Sequence, residues 1–130
     1  RFAAHMMYSP NLSTAIYGGA DLFLMPSISE PCGLSQMIAM RYGTIPVVRE
    51  TGGLRDSVVP YNKFTGEGTG FSFANINVQE MTGVLSEAVN LYHNEPKAWK
   101  ALQKNAMTAD FSWEKSAKAY EEIYGWVTGK

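Results

Sequence analysis

The stretch "DLFLMPSISEPCGLSQMIAMRYGTIPVVRE", residues 21–50, places a polar loop and a helical pattern between two short apolar runs. The first run, within "ADLFLMPS", is unbroken, which predicts a strand buried on both faces at the centre of a parallel sheet. Apolar residues then recur at the spacing of one helical face, at Leu34, Met37, Ile38 and Tyr42. Gly43 ends that pattern, and "IPVVRE" predicts a second strand. The stretch therefore predicts a strand, a crossover helix and a second parallel strand.

The residues before this crossover predict one more strand and a short helix. "FAAHMMY" (residues 2–8) has the apolar character of a strand, and Pro10 opens a helix that runs to Tyr17. The pair Gly18-Gly19 ends that helix, because glycine tolerates the left-handed conformation found at helix ends. The chain opens within strand-like sequence and without an initiator methionine, so we expect a fragment of a longer protein.

After the crossover, short strands give way to long helices. Residues 51–70 are rich in Gly, Thr, Asn and Pro and predict a long loop, in which "TGGL" is interpreted as a Gly-Gly turn after a strand. "GFSF" predicts one more strand. Asn77 and Glu80 resemble a capping pair at the start of a helix. Three helices are predicted, at about 78–93, 96–108 and 112–127.

These segments predict one α/β domain. A chain of 130 residues with 45% apolar composition can bury one core but is too short for two ordinary domains. Residues 1–74 form the βαβ units of a partial Rossmann-like parallel sheet, and residues 75–130 form a helical C-terminal tail.

Composition excludes several classes of ligand. The chain has 11 Lys and Arg against 12 Asp and Glu, so its net charge of -1 predicts neither nucleic-acid nor membrane binding. Its apolar runs are too short for a membrane span. One cysteine excludes an internal disulfide framework, and together with two isolated histidines it offers no zinc-ligand spacing. We therefore expect no metal.

The chemistry concentrates at residues 30–35, in and after the loop "PSISEPCG" (residues 26–33) that follows the first apolar run. In open parallel sheets, ligands bind beyond the carboxyl ends of the strands, where this loop lies. With a helix starting near Gly33, the N–H groups of Gly33, Leu34 and Ser35 have no acceptors within the helix. They lie at the positive end of the helix dipole. Such groups bind phosphate, and the Ser35 hydroxyl adds a donor. Neutral groups can thus hold a diphosphate.

Glu30 and Cys32 each admit two interpretations. A carboxylate beside a phosphate site attracts sugar hydroxyls or a developing positive charge, as at a glycosyl carbon, but Glu30 also fits a solvated acid that stabilises a helix N-terminus. Cys32 fits either a small buried hydrophobe or a thiol activated by that terminus. A nucleophilic role lacks a base nearby in sequence, although His5 and His93 remain open as spatial partners.

A family resemblance rests on "GGADLFLMPSISEPCGLSQMIAMRYGTIPVVRETGGLRDSV", residues 18–58, and continues through "GTGFSFA" and "DFSWEKSAKAYEEIY". These residues closely resemble the C-terminal nucleotide-binding domain of bacterial glycogen synthases and plant starch synthases. The resemblance implies a retaining glucosyltransferase that moves glucose from a nucleotide sugar, usually ADP-glucose, to the non-reducing end of an α-1,4-glucan. It implies a GT-B fold, in which this chain is the later part of the second of two Rossmann-like domains, and no cofactor or metal.

The resemblance also assigns residues. The acid matching Glu30 lies beside the donor glucose, where we expect it to position the sugar and stabilise charge. The residues that line the donor glucose and diphosphate match Cys32, Gly33, Leu34 and Ser35. The tyrosine that covers the adenine matches Tyr8.

Departures from the family pattern limit what the chain does alone. A second glutamate that the wider clan carries eight residues after the first is replaced by Ile38, as in the synthase branch. The Lys-x-Gly-Gly-Leu motif of the N-terminal domain is absent, as are the Arg and Lys that neutralise the leaving diphosphate. The isolated chain is therefore expected to be inactive without its N-terminal domain, and the choice between ADP-glucose and UDP-glucose stays open. We expect a cytoplasmic bacterial protein, or a plastid protein if the source is a plant.

Two other classes fit the same sequence. One is a non-catalytic α/β module that binds nucleotide, and the other is an interaction domain that uses the Tyr and Trp residues of its last helix.

Overall fold

The computed structural model describes residues 2–129, and these form a three-stranded parallel sheet with six helices. The strands lie in the order β1-β2-β3, and β2 pairs in parallel with both neighbours. In chain order the elements are α1 (Pro10–Gly19), β1 (Leu22–Met25), α2 (Ser35–Tyr42), β2 (Ile45–Arg49), α3 (Gly52–Ser57), β3 (Phe71–Phe73), α4 (Val78–Asn94), α5 (Pro96–Thr108) and α6 (Trp113–Thr128). The predicted α/β class, the parallel crossover and the three C-terminal helices are confirmed.

The central strand is β2, not the strand that the apolar run predicted. Residues Ile45 to Val48 are buried, whereas β1 lies at an edge and exposes 40% of Leu24. The prediction that "ADLFLMPS" is buried on both faces is therefore wrong. An unbroken apolar run shows that a strand is hydrophobic, but not how many neighbours it has.

The strand predicted at residues 2–8 is also absent. Those residues are exposed and have no regular structure, with Phe2 at 92% and Met6 at 99% exposure. Apolar character alone does not make a strand, since a strand needs a partner for its backbone groups, and these residues pair with none of the described strands. Helix α1 follows, continues through both glycines of the Gly18-Gly19 pair and ends in extended backbone at Ala20.

The crossover helix α2 ends as predicted, with Gly43 at φ 83° in the left-handed region. Its buried face differs from the predicted one. The fully buried positions are Gln36, Ala39 and Met40, whereas Ile38 and Tyr42 are 39% and 50% exposed. Both faces have helical spacing, and the sequence pattern favoured the one with the bulkier apolar residues.

The segment after β2 is not a simple turn. The "TGGL" glycines begin α3, and the remaining loop returns from Val58 to β3 at the opposite edge of the sheet from loop 26–34. The core then forms between the sheet and the last helices. Its buried members from α4 and α5 are Ala88, Leu91, Trp99, Leu102 and Ala106.

Helix α4 begins with the predicted capping pair. The Asn77 side chain accepts a hydrogen bond from the Glu80 N–H at 2.7 Å, and the Asn77 amide donates to the Glu80 carboxylate at 3.1 Å. The same carboxylate accepts hydrogen bonds from the Ala74 and Asn75 N–H groups at 3.2 and 2.9 Å. These bonds, led by that of the Asn75 N–H, hold the pKa of Glu80 below its ordinary value.

Helix α6 differs from the other long helices because none of its residues is buried. Trp113 and Trp126 are 87% and 80% exposed. None of the helices within residues 2–129 is long and apolar enough to cross a bilayer.

Replacing Glu80 with glutamine should destabilise the chain most at neutral pH. A lowered folded-state pKa means that the ionised carboxylate contributes stability above its unfolded pKa and loses it as pH falls through the folded one. The difference in unfolding free energy between parent and Glu80→Gln should therefore shrink below about pH 4. Urea unfolding at pH 7 and pH 3 measures it.

The control is Glu87→Gln, which removes an exposed charge from the same helix without removing a hydrogen bond among the described residues. A Glu80→Gln difference that grows toward low pH would contradict the role of the carboxylate.

Candidate donor site

Two segments meet at the end of the sheet where strands β1 and β2 have their carboxyl termini. Loop 26–34 follows β1, and Thr51 to Gly53 follow β2, so the parallel pairing of these strands brings the segments together. The Gly53 N–H donates to the Glu30 carbonyl oxygen at 3.1 Å. This backbone bond joins the start of α3 to the middle of the loop.

The two glycines of "TGGL" allow this approach. A Cβ on Gly52 would overlap the carbonyl oxygen of Glu30, and a Cβ on Gly53 would overlap that of Cys32. Gly52 also has a φ of +43°, which other residues rarely adopt. The interpretation of "TGGL" as a simple Gly-Gly turn is therefore wrong, because these glycines are the surface on which loop 26–34 rests.

A buried glutamine makes the second connection. The Gln36 Nε2 atom lies 2.9 Å from the carbonyl oxygen of Gly33, 3.0 Å from the Ser57 Oγ and 3.3 Å from the carbonyl oxygen of Cys32. Its two protons serve these three acceptors, so one proton is shared between two of them. Ser57 Oγ in turn donates to the Gly53 carbonyl at 2.6 Å. Sequence reasoning missed Gln36, although a polar residue at helical spacing from Ala39 and Met40 was a usable signal.

Arg49, at the end of β2, holds the first half of the loop. Its guanidinium donates to the carbonyl oxygens of Ser27 and Ile28 at 3.2 and 2.8 Å. The contact with Gly52 and Gly53, the Gln36 amide and the Arg49 guanidinium together fix the backbone on both sides of Glu30.

The amino end of α2 lies at the same end of the sheet, beside the carboxyl termini of the strands. Its N-cap is Leu34, which makes no side-chain capping hydrogen bond, in contrast to Asn77 at the start of α4. The helix begins at Ser35, two residues later than predicted. Its first N–H groups therefore lack both an intrahelical acceptor and a side-chain cap, as an anion site requires.

Three of the predicted residues lie together in the loop. Glu30 is half-buried, and its carboxylate accepts no hydrogen bond within residues 2–129. Gly33 adopts a φ of +72°, and a Cβ there would lie 3.1 Å from the Glu30 Cγ and 2.6 Å from the Gln36 Oε1. The packing of the loop thus requires glycine at position 33. Cys32 is exposed, so its interpretation as a small buried hydrophobe is wrong.

The other predicted residues are placed differently. Leu34 is 65% exposed and Ser35 half-buried, both at the start of α2. Tyr8 is 91% exposed just before α1, and no hydrogen bond or ring contact joins it to the loop among the described residues. Within that same part of the chain, no three His, Cys, Asp or Glu side chains lie close enough to hold a metal ion.

Comparisons with known proteins define the family. Residues 5–108 match the model of the "Glycosyl transferases group 1" family, and the chain belongs to this family. It is 57% identical over 121 residues to a glycogen synthase of Fusobacterium nucleatum, and 52% identical over 124 residues to one of Lachnospira eligens. These alignments cover 93% and 95% of the chain.

A solved structure agrees with these relatives. The catalytic domain of starch synthase IV from Arabidopsis thaliana, bound to ADP and acarbose, matches 95% of the chain with 44% identity and a TM-score of 0.81. The chain spans 26% of that structure and 26% of each bacterial relative. The resemblance to glycogen and starch synthases is confirmed, and it concerns about a quarter of their length.

Adding a methyl group at Gly53 should distort the site. Gly53→Ala should lower the free energy of unfolding by about 1–3 kcal/mol, because the new Cβ overlaps the Cys32 carbonyl and backbone must move. The matched control is Gly83→Ala in α4, where nothing lies within 4 Å of the added Cβ. That change should stabilise by about 0.5–1 kcal/mol.

Denaturant unfolding of both variants measures the contrast. If Gly53→Ala is as stable as the parent, the close contact between the two segments does not exist in solution.

Proposed function

We propose that this chain is the donor-binding part of a glycogen or starch synthase. The complete enzyme would transfer glucose with retention from a nucleotide sugar, usually ADP-glucose, to the non-reducing end of an α-1,4-glucan. One observation carries the proposal: a carboxylate without a hydrogen-bond partner, Glu30, lies in the same fixed loop that leads to an uncapped helix N-terminus. The named relatives support the same enzyme class.

The diphosphate of the donor would bind at the amino end of α2. The N–H groups at Gly33, Leu34 and Ser35 offer hydrogen bonds and the positive end of the helix dipole, and the Ser35 hydroxyl adds a further donor. A chain with a net charge of -1 can hold an anion in this way, because the attraction is local.

The sugar would lie between the diphosphate and Glu30. The glycosyl carbon gains positive charge as its bond to the diphosphate breaks, and a fixed carboxylate stabilises that charge. Glu30 would also orient the glucose hydroxyls, Cys32 would line the pocket, and Tyr8 would cover the base. No metal or cofactor takes part in this proposal.

The rest of the enzyme would complete the site. We propose that the Arg and Lys that neutralise the leaving diphosphate, and the acceptor-binding surface, belong to the three-quarters of the relatives that this chain does not match. We place such an enzyme in the bacterial cytoplasm, or in the plastid if the source is a plant. Both ADP-glucose and UDP-glucose fit these contacts.

The test replaces the matching quarter of the Fusobacterium nucleatum glycogen synthase with residues 1–130. The chimera should transfer glucose from ADP-glucose to glycogen, whereas the isolated chain should be slower by at least about 10⁴-fold, because each missing cationic group is worth about 10²–10³ in rate. Initial rates at equal protein concentration measure this. Turnover by the isolated chain at the chimera's rate would contradict the division of the site.

Variants of the chimera test the individual assignments. Glu30→Gln should lower kcat by about 10²-fold, and Ser35→Ala and Tyr8→Ala should weaken ADP binding in calorimetry. A folded chimera that binds ADP but transfers no glucose would favour the non-catalytic nucleotide-binding module. If neither Ser35→Ala nor Tyr8→Ala weakens ADP binding, the donor assignment fails.

A further inference from the structure

Gln36 is a fully buried polar side chain that contacts both loop 26–34 and the end of α3. It lies on the first turn of α2, between the loop carbonyls of Cys32 and Gly33 on one side and Ser57 of α3 on the other. An apolar residue would fill the same space in the core without a polar group to satisfy. The position of an amide here therefore calls for a reason other than packing.

The orientation of the amide follows from its neighbours. Three acceptors surround Nε2, and Ser57 Oγ uses its own proton on the Gly53 carbonyl, so it can only accept from Gln36. Turning the amide over would place its oxygen against the carbonyl oxygens of Cys32 and Gly33. The Gln36 Oε1 atom is buried and has no hydrogen-bond partner among the described residues, so the side chain gives up one bond to keep the others.

Holding those two carbonyls has a direct effect on the next two N–H groups. In a trans peptide the C=O of one residue and the N–H of the next point in opposite directions, and the described residues contain no cis peptide. Drawing the Cys32 carbonyl toward Gln36 turns the Gly33 N–H away from it, and drawing the Gly33 carbonyl inward does the same for the Leu34 N–H. Neither N–H donates to a group among the described residues.

We propose that Gln36 is a positioning residue that aims the Gly33 and Leu34 N–H groups at the diphosphate of the donor. The inference rests on the proposed function, because it requires a phosphate-bearing ligand at the amino end of α2. It also explains Gly33, where a Cβ would lie 2.6 Å from the Gln36 Oε1 and push the carboxamide out of place.

The test uses the active chimera and the variant Gln36→Met, which keeps the length of the side chain and removes its donors. The kcat/KM for ADP-glucose should fall by about 10²-fold, the usual effect of misplacing a binding group by about 1 Å. The KM for glycogen should stay unchanged, because the proposed acceptor-binding surface lies outside this chain.

Gln103→Met is the matched control. The Gln103 Nε2 atom donates to the Gly43 carbonyl at 2.8 Å, so this change removes the same kind of bond at the other end of α2. It should lower thermal stability but leave the kcat/KM for ADP-glucose within about twofold of the parent, because it leaves the N–H groups in place.

If Gln36→Met does not fold, Gln36→Glu replaces it. A carboxylate repels the two carbonyls, whereas the protonated acid restores one donor, so the kcat/KM relative to the parent should rise as pH falls. The proposal is overturned if the kcat/KM of Gln36→Glu relative to the parent does not change with pH, or if folded Gln36→Met keeps the parent's kcat/KM. It is also overturned if Gln103→Met lowers the kcat/KM for ADP-glucose as much as Gln36→Met does. An inactive parent chimera would instead refute the proposed function, and the inference would fall with it.

Discussion

The candidate site depends on one backbone contact, in which Gly52 and Gly53 lie against the carbonyl groups of Glu30 and Cys32. Neither glycine can carry a side chain without overlapping a peptide oxygen. The contact fixes the distance between the segments that follow β1 and β2, and the Gly53 N–H then bonds the Glu30 carbonyl. A loop between a strand and a helix, which would otherwise be mobile, thereby becomes part of the packed structure.

This rigidity matters for the proposed diphosphate site, because the donors that this chain would contribute are weak, neutral groups. A single N–H binds phosphate poorly, but several that are aimed at one point, at the positive end of a helix, bind it without any nearby basic residue. Their alignment must exist before the ligand arrives, or ordering the loop would consume the binding energy. The contact with Gly53, the amide of Gln36 and the guanidinium of Arg49 provide that alignment from three directions.

The sequence predicted much of this fold and a candidate site in the loop after β1, but not the contacts that hold that loop. Helix caps such as Asn77, the crossover and loop 26–34 depend on local chemistry, which spacing reveals. The edge position of β1, the absence of a strand at residues 2–8 and the burial of Gln36 depend on contacts between segments far apart in sequence. The glycines of "TGGL" show the difference most clearly. Locally the pair suggests a turn, but Gly52 is required by the carbonyl oxygen of Glu30, 22 residues earlier, and Gly53 by that of Cys32, 21 residues earlier.

Hydrogen exchange at the Gly53 amide tests most directly whether the two segments are joined in solution. In the chimeric synthase this amide should be protected to the same degree as that of Ile45, which bonds the Asp21 carbonyl at 3.0 Å beside the buried core. The exposed amide of Ile76, which has no such partner among the described residues, gives the unprotected rate. Exchange at Gly53 as fast as at Ile76 would show that the segments separate freely, and the account of a preformed donor loop would be wrong.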